Sequence, residues 1–306
     1  MEDINKIDTL EELRREYEDT EAEIAGSDSI CDKIKNMIKS NMLAAISLII
    51  ILLFCFCAIF APLVAPHDPI LQNYDNVRAK PSSEHLLGTD ELGRDVLSRI
   101  IYGARISLVI GLVPTTISMV LGTILGLMAG FLGKKVDFVI MRLADIMLAF
   151  PSLLLAMVVM YTLGATLINI FIALSVVSWA GTARVVRSQT LSLKEKEFIE
   201  AAKSIGVKDY VIMIRHILPN CLPSLIVLFT MNIPGSILSE SSLSFLGIGA
   251  QPPASSWGLM VVNGKQWLFS EPWVAISPGV AILILVLAFN FLGDGLRDAI
   301  DPYMKE

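Results

Sequence analysis

The chain has 306 residues, of which 54% are hydrophobic and 18% are charged, and its formal net charge is −6. Soluble domains carry about 25% charged residues, so this composition excludes an ordinary soluble protein and indicates a membrane protein. The negative charge lies at the N-terminus, where residues 1–28 hold eleven acids and three bases. The remainder is close to neutral, and no nucleic-acid partner is expected.

Residues 1–40 are predicted to form an acidic cytoplasmic tail. Thr9 followed by Glu12 is a capping-box pattern that opens a stretch rich in Glu and Arg. A solvated helix or a disordered segment is one interpretation, and a docking role is the other. An acidic tail is repelled by an anionic inner leaflet, so no membrane role is expected for it.

Six segments are apolar over about 20 residues, the length that crosses a bilayer as a helix. They predict an all-α membrane protein with six transmembrane helices, near 42–64, 106–131, 143–163, 167–183, 222–246 and 274–293. The first begins too far from the N-terminus to be a cleaved signal peptide. The predicted organisation is a tail (1–40), a first helix (41–65), an extracytoplasmic loop (66–105), a five-helix core (106–295) with a cytoplasmic loop (184–221), and a C-terminal tail (296–306).

The distribution of Lys and Arg predicts the orientation. With the N-terminus in the cytoplasm, 18 of the 24 basic residues fall in inside segments and 6 fall outside. Cytoplasmic segments of membrane proteins carry the excess of Lys and Arg. Both termini and the loop 184–221 are therefore predicted to be cytoplasmic.

The outer loop contains H-L-L-G-T-D-E-L-G-R-D at 85–95. Thr89 or Asp90 can cap a helix along the outer membrane surface, separate from the second span. The apolar face of that helix would consist of Leu92, Val96, Leu97, Ile100 and Ile101. A plain interfacial connector and a contact with cargo are both open interpretations.

Residues 197–219 are predicted to form a bent helical hairpin. Phe198, Ala201, Ala202 and Ile205 share one face of a short helix, since they fall at i, i+3, i+4 and i+7. Gly206 permits the positive φ that ends this helix, and Pro219 is predicted to stop a second one. Small residues on that face suit the groove of another protein. By itself the pattern also fits any amphipathic helix in a loop between spans.

Polar residues inside the predicted spans are candidates for a translocation path, although close helix packing is the alternative for most of them. A carboxylate in hydrocarbon costs about 2.5–3.5 kcal/mol, so Glu240 is expected to face a partner helix, a basic group or water. The candidate path residues are Thr115, Thr116, Asn232, Ser236 and Glu240.

No catalytic or metal-ligating pattern occurs in the sequence. Cys55 and Cys57 point away from each other on a helix and serve as small apolar filler, and Cys31 and Cys221 lie in inside segments or spans, so no disulfide is expected. The histidines His67, His85 and His216 are scattered along the chain, without the spacing of metal ligands. With no Walker loop present, the chain is not expected to hydrolyse ATP.

Four motifs in chain order resemble a known family. E-A-A at 200–202, with Gly206 and Ile217-Leu218-Pro219, resembles the "EAA" loop of importer-type ATP-binding-cassette (ABC) permeases. The stretch 85–95 resembles the signature H-P-L-G-T-D-x-x-G-R-D of C-type permeases from dipeptide, oligopeptide and nickel importers, with Leu86 where proline is usual. Residues 240–258 and 289–302 also resemble family segments. The resemblance covers the chain from about residue 40 to its end.

The resemblance implies a type I ABC importer permease fold and a set of partners. These are a homologous B-type permease subunit, two cytoplasmic ABC ATPases that carry ATP and Mg, an extracytoplasmic solute-binding protein, and membrane lipid. No cofactor is expected on this chain. The cargo implied is a peptide, with nickel or another small solute as the alternative.

The resemblance also assigns two sets of residues. The ATPase-coupling set is Phe198, Glu200, Ala201, Ala202, Ile205, Gly206, Ile217, Leu218 and Pro219, and the extracytoplasmic signature is Gly88, Thr89, Asp90, Gly93, Arg94 and Asp95. Two other classes stay as alternatives. An ion-coupled secondary transporter needs ion-binding groups at mid-membrane and an inverted repeat. A membrane scaffold needs neither polar residues in its spans nor ordered loop motifs.

Overall fold

The computed structural model describes residues 41–253 and 255–300. These ranges are helices and connecting turns without a strand, and contain one isolated β-bridge between Thr89 and Asp95. The predicted tail 1–40, with its Thr9–Glu12 pattern and Cys31, lies outside the described residues, as do residues 301–306.

Most of the helices follow one another with short connections, and the exception is the long loop 65–95. In chain order they are α1 (Met42–Ile59), α2 (Ala61–Val64), α3 (Val96–Leu132), α4 (Lys134–Ala149), α5 (Ser152–Leu163), α6 (Leu167–Lys194), α7 (Glu197–Ser204), α8 (Asp209–Ile212), α9 (Leu218–Phe245), α10 (Trp257–Gly264) and α11 (Trp273–Ile300). Within the described ranges, five helices are long and apolar enough to cross a membrane: α1, α3, α6, α11 and the continuous helix Asp209–Phe245 that contains α9. The predicted all-α, multi-span fold class is confirmed.

The third predicted span is not one straight helix. The segment 143–163 is divided between α4 and α5, whose axes differ by 94°. Proline restricts the residue before it to extended backbone, and Phe150 before Pro151 has φ −94° and ψ 143°. The helix therefore breaks at this point. The predicted count of six spans is met when this bent pair is counted as one span.

The second predicted span begins ten residues earlier than expected. A single helix of 37 residues runs from Val96 to Leu132, so the prediction of a separate surface helix capped by Thr89 or Asp90 is wrong. Asp95 is the cap, because its carboxylate accepts a hydrogen bond from the Ser98 N–H at 2.7 Å. Leu92 lies before the helix, in a turn that Gly93 completes with φ +70°.

The last span is also longer than predicted, since α11 continues through residues 294–300, part of which had been assigned to the C-terminal tail. Apolar side chains on the outside of the bundle remain exposed, as expected for helices that face lipid. In α1, for example, Leu52, Leu53 and Ile49 are each more than half exposed. The described residues thus form a bundle whose outer surface suits a bilayer.

Glycines set the closest helix contact in the bundle. Gly122, Gly126 and Gly130 recur every fourth residue on α3 and face α6. A Cβ atom at any of them would overlap α6, and at Gly126 it would meet the Ala183 carbonyl oxygen and the Val186 side chain. Small residues at this spacing let two membrane helices approach closely. The contact fixes α3 against α6, and both helices line the cavity described next.

Candidate functional site

A polar cavity of about 200 Å³ lies among α3, α5, α6 and α9. Four helices contribute hydroxyl or amide groups to its wall, and apolar side chains such as Leu153 and Val177 complete it. The polar lining residues are Thr115, Ser118, Ser152, Ser178, Asn232, Ser236 and Ser239. Such a lining can hydrogen-bond a polar solute at a depth where lipid offers no partners.

The structure brings together three of the five predicted path residues. Thr115, Asn232 and Ser236 line the cavity, and the Thr115 Oγ1 atom lies 2.9 Å from the Ser236 Oγ atom. Thr116 does not line it. Its side chain is exposed on the other face of α3 and donates to the Leu112 carbonyl oxygen at 2.8 Å.

Glu240 is also placed away from the cavity. Its side chain is 1% exposed, and one carboxylate oxygen accepts hydrogen bonds from the hydroxyls of Ser244 at 2.7 Å and Ser256 at 3.0 Å. Ser256 in turn caps α10 by accepting from the Leu259 N–H. Glu240 therefore joins the end of α9 to the start of α10, and the hydroxyl groups of the same chain offset the cost of burying the carboxylate.

The sequence interpretation missed several cavity residues, among them Ser152 and Ser178. One signal was available: Asn232, Ser236 and Ser239 fall at i, i+4 and i+7, one face of a helix. No sequence pattern indicated that Ser152 lines the cavity, because it follows the break at Pro151 that turns α5 towards the cavity. Its position depends on the bend between α4 and α5.

The predicted hairpin forms a helix with two distinct faces. On α7, Ile199 and Ala202 are buried against the ends of α3, α6 and α9. Phe198 and Ile205 are 44% and 81% exposed, and Ala201 lies exposed between them. The four residues predicted to share one face are thus divided, because Ala202 turns inward. The remaining three present an exposed apolar surface.

The end of α7 follows the prediction. Gly206 has φ +79°, which the helix terminus was expected to require. The side chain of Glu200 is exposed on α7. The first arm of the hairpin therefore ends at the predicted glycine.

The second arm does not end at Pro219. A helix runs without interruption from Asp209 through Phe245, so the predicted stop is wrong. A proline ring clashes with the carbonyl four residues earlier, and here that carbonyl belongs to a wide π-helical turn, Met213–Ile217. Ile217 is buried, Leu218 is half-buried and Pro219 is exposed. The loop is thereby continuous with a cavity-lining helix.

The loop is also tied to the bundle by polar contacts. The Lys194 ammonium donates to the Phe131 carbonyl oxygen at 2.6 Å, and the Lys203 ammonium lies 5.3 Å from the centre of the Phe131 ring. Nearby, Arg187 pairs with Asp137 and thereby joins α6 to α4. Lys203 thus connects α7 to the end of α3, and Lys194 and Arg187 connect α6 to α3 and α4.

The signature residues form a tight turn around a buried charge. Asp90 accepts hydrogen bonds from the Arg94 backbone N–H at 3.0 Å and from the Arg94 side chain at 2.7 Å. Arg99 lies 3.3 Å from the same carboxylate. Thr89 donates to the Asn76 carbonyl oxygen and accepts from the Ala79 N–H.

Two glycines complete this turn. Gly88 and Gly93 both have positive φ, and a Cβ atom on either would overlap backbone of residues 73–79. Leu86, the departure from the family pattern, is 60% exposed and alters nothing in the turn. The signature therefore acts as the structural centre of the loop.

Two of the three histidines are not scattered in space, contrary to the sequence interpretation. His67 and His85 lie side by side, with ring centres 4.7 Å apart, and both face Asp95. The sequence could not show this, because His85 follows His67 by 18 positions and Asp95 follows His85 by 10. Only the fold of the signature turn brings the three side chains together. His216 lies on the π-helical turn, in the arm that follows Gly206.

Comparison with known proteins identifies the family. Residues 122–306 match the family described as binding-protein-dependent transport system inner membrane component, and residues 36–81 match the N-terminal transmembrane domain of oligopeptide transport permease C. The chain belongs to this family. It is a C-type permease of an ABC importer.

Several relatives resemble this permease over most of its length. It is 47% identical to the dipeptide transport system permease protein DppC of Alkalihalophilus pseudofirmus, over 88% of each chain. It is 45% identical to the di/tripeptide permease DppC of Pseudomonas aeruginosa, over 84% of this chain and 87% of the relative. It is 43% identical to the glutathione permease GsiD of Pectobacterium atrosepticum, over 89% of this chain and 90% of the relative.

A solved structure supports the fold of the permease. A chain of the MetNI methionine ABC transporter, in an inward-facing conformation, aligns with a TM-score of 0.52 and 20% identity over 66% of this chain and 96% of its own. The family and the apolar helices make the permease a multi-pass protein of the cytoplasmic membrane. The family is that of a transport permease subunit.

Proposed function

We propose that this permease forms half of the translocation path of a peptide importer driven by ATP hydrolysis on separate subunits. The observation that supports the proposal is the packing of α7 against the helices that line the cavity. Ile199 and Ala202 of α7 pack on Phe131, Val186 and Leu225, which belong to α3, α6 and α9. The same three helices line the polar cavity. A force applied to the exposed side of α7 is therefore passed to the ends of helices whose other segments line the cavity.

The exposed apolar surface of α7, formed by Phe198, Ala201 and Ile205, is the proposed contact with an ATPase. Ala201 keeps the centre of this surface shallow, so a helix bearing it can enter a groove. Two ATPases are proposed, one for this subunit and one for a homologous B-type permease. The excess of Lys and Arg on the α7 side supports a cytoplasmic location for both.

Alternating access is the proposed mechanism. ATP closes the ATPase dimer, α7 moves with it, and the helices around the cavity shift to open one side of the path. Cargo or nucleotide can drive such a change only through a difference in binding free energy between the two conformations. A binding protein on the extracytoplasmic face delivers the cargo.

Peptides are the proposed cargo because the relatives are dipeptide, di/tripeptide and glutathione permeases. These relatives do not favour nickel. The polar cavity also suits a peptide, whose amide groups both donate and accept hydrogen bonds. A second permease subunit would enlarge the space, since one subunit encloses only about 200 Å³.

Uptake by the reconstituted complex tests this function. Proteoliposomes holding the permease, its partner subunits and ATP on the ATPase side should accumulate a labelled dipeptide when the binding protein is present. Uptake driven by an ion gradient without ATP would instead identify a secondary transporter.

Two matched variants test the cavity. Asn232→Leu removes a polar group from the cavity and should lower uptake at least tenfold, whereas Thr116→Leu alters an exposed residue outside it and should leave uptake near normal. Equal uptake by the two variants would show that the cavity is not on the path.

A further inference from the structure

We propose that His67, His85 and Asp95 bind a zinc ion that fastens the segment after the first span to the start of α3. One ligand atom from each residue lies within 4.8 Å of the other two. Imidazole nitrogen and carboxylate oxygen are ligands that zinc takes in proteins, and three protein ligands leave one position for water. The site is independent of the proposed cargo and of the ATPase contact.

The distances from Asp95 to the two histidines are close to those of a tetrahedral site. Zinc about 2.0–2.1 Å from each ligand atom sets ligand atoms about 3.3 Å apart. The Nδ1 atom of His85 lies 2.9 Å from Asp95 Oδ1, and that of His67 lies 3.8 Å from the same oxygen. Shifts of about half an ångström or less would bring each nitrogen to the required separation from this oxygen, and the three ligand atoms lie within 4.8 Å of one another.

An unpaired buried nitrogen distinguishes this cluster from a simple ion pair. The Nδ1 atom of His67 is shielded from solvent and has no hydrogen-bond partner, although the ring as a whole is 36% exposed. A buried polar atom without a partner costs about 1–3 kcal/mol. His85 alone would satisfy Asp95, so an ion pair leaves the position of His67 unexplained. A bound cation would give that nitrogen a partner.

The surroundings fix the ligands in place. Asp95 Oδ2 accepts from the Ser98 N–H at 2.7 Å, which leaves Oδ1 directed at both histidines. Ser98 Oγ accepts from the backbone N–H of His67 at 3.0 Å, which holds the main chain of this ligand in place. Arg94 and Arg99 pair with Asp90, and do not compete for Asp95. Contacts of this kind, one step removed from a metal, orient its ligands.

Zinc content and thermal stability of the purified full-length complex test the site. After incubation with ZnCl₂ and dialysis, wild type should retain one zinc per permease more than His67→Phe, which keeps the ring and removes the ligand nitrogen. Asp95→Asn still caps α3 and should lower zinc affinity at least tenfold. His216→Phe is the matched control and should retain zinc as wild type does.

Zinc should also raise the melting temperature of wild type and of His216→Phe, because a ligand that binds the folded state stabilises it. It should have no such effect on His67→Phe, and the effect on Asp95→Asn should be smaller than on wild type at the same zinc concentration. If His67→Phe binds as much zinc as wild type and responds equally to it, the cluster is a hydrogen-bonded His–Asp pair and the proposal is wrong. Co²⁺ absorption typical of a tetrahedral site, present in wild type and absent in His67→Phe, gives an independent readout.

Discussion

Asp90 shows how a single carboxylate organises the outer loop. It is 3% exposed, contacts two arginines, and accepts two backbone N–H groups from its own turn. Both oxygens of the buried carboxylate thus have partners, which is the condition for a buried ion pair to be tolerated. The Asp145–Arg184 pair at 2.6 Å is different, since both side chains are about half exposed.

These two pairs predict very different losses of stability. Asp90→Ala leaves Arg99 buried without its partner carboxylate and leaves Arg94 paired with Glu91 alone, and should cost about 3–5 kcal/mol. Arg184→Gln breaks a solvated pair and should cost under about 1 kcal/mol. Unfolding of the two variants in detergent measures the difference. Equal losses would mean that the signature turn is not held by its buried charges.

The contact between α3 and α6 provides a prediction about an element pair. In a helix, replacing Gly by Ala ordinarily stabilises by about 1 kcal/mol. Gly181 of α6 has no atom within 4 Å of an added Cβ, so Gly181→Ala should follow that rule. Gly126→Ala should be destabilising by about 1–3 kcal/mol, because its Cβ overlaps α6.

Melting temperatures of the two purified variants check this prediction, since the same substitution should shift them in opposite directions. A Gly126→Ala variant at least as stable as Gly181→Ala would show that the helices can separate without cost. Close approach of α3 and α6 would then not be required for the fold.

The helices show what the sequence could and could not predict. Hydropathy identified the spans because about 20 apolar residues must cross the bilayer whatever their neighbours are. The start of α3 was misplaced, because several polar residues can cap a helix and the choice of Asp95 depends on the turn folded before it. Pro151 and Pro219 look alike in sequence, yet only Pro151 breaks a helix, since a π-helical turn accommodates the other.

The same limit applies to the candidate site. The face of α9 that bears Asn232 and Ser236 has a helical period that the sequence displays. Glu240 shares a polar character with them but turns to Ser244 and Ser256 of its own chain. Which polar residues face the cavity depends on helix rotation within the bundle, and that is set by packing rather than by local pattern.

Viewed as a whole, the permease has two ends of opposite character. The signature turn and the His67–His85–Asp95 cluster lie at one end of α3, and α7 packs against the other end. If the basic residues set the orientation, the first end faces outward and α7 faces the cytoplasm.

Cysteine labelling checks this orientation. In a chain without its native cysteines, Phe269→Cys replaces a fully exposed residue at the outer end and should react with an impermeant maleimide on intact cells. Ser192→Cys, near α7, should react only after the membrane is opened. Reaction at Ser192 with the membrane sealed would place α7 outside, away from any ATPase.

Coupling through α7 is tested most directly at Gly206. Its φ of +79° is a conformation that a β-branched residue adopts only with strain, and no atom lies within 4 Å of an added Cβ. An added Cβ therefore overlaps nothing in this chain, and strain at this position comes from the backbone. Asn tolerates this conformation far better than Val, which gives a matched pair of variants at one position.

The measurement is ATP-driven dipeptide uptake, together with co-purification of the ATPase subunits, for Gly206→Val and Gly206→Asn. Gly206→Val should insert into the membrane normally and lose uptake and bound ATPase, while Gly206→Asn should retain both. Normal uptake by Gly206→Val with its ATPases bound would contradict the proposal that residues 197–219 couple ATP hydrolysis to transport.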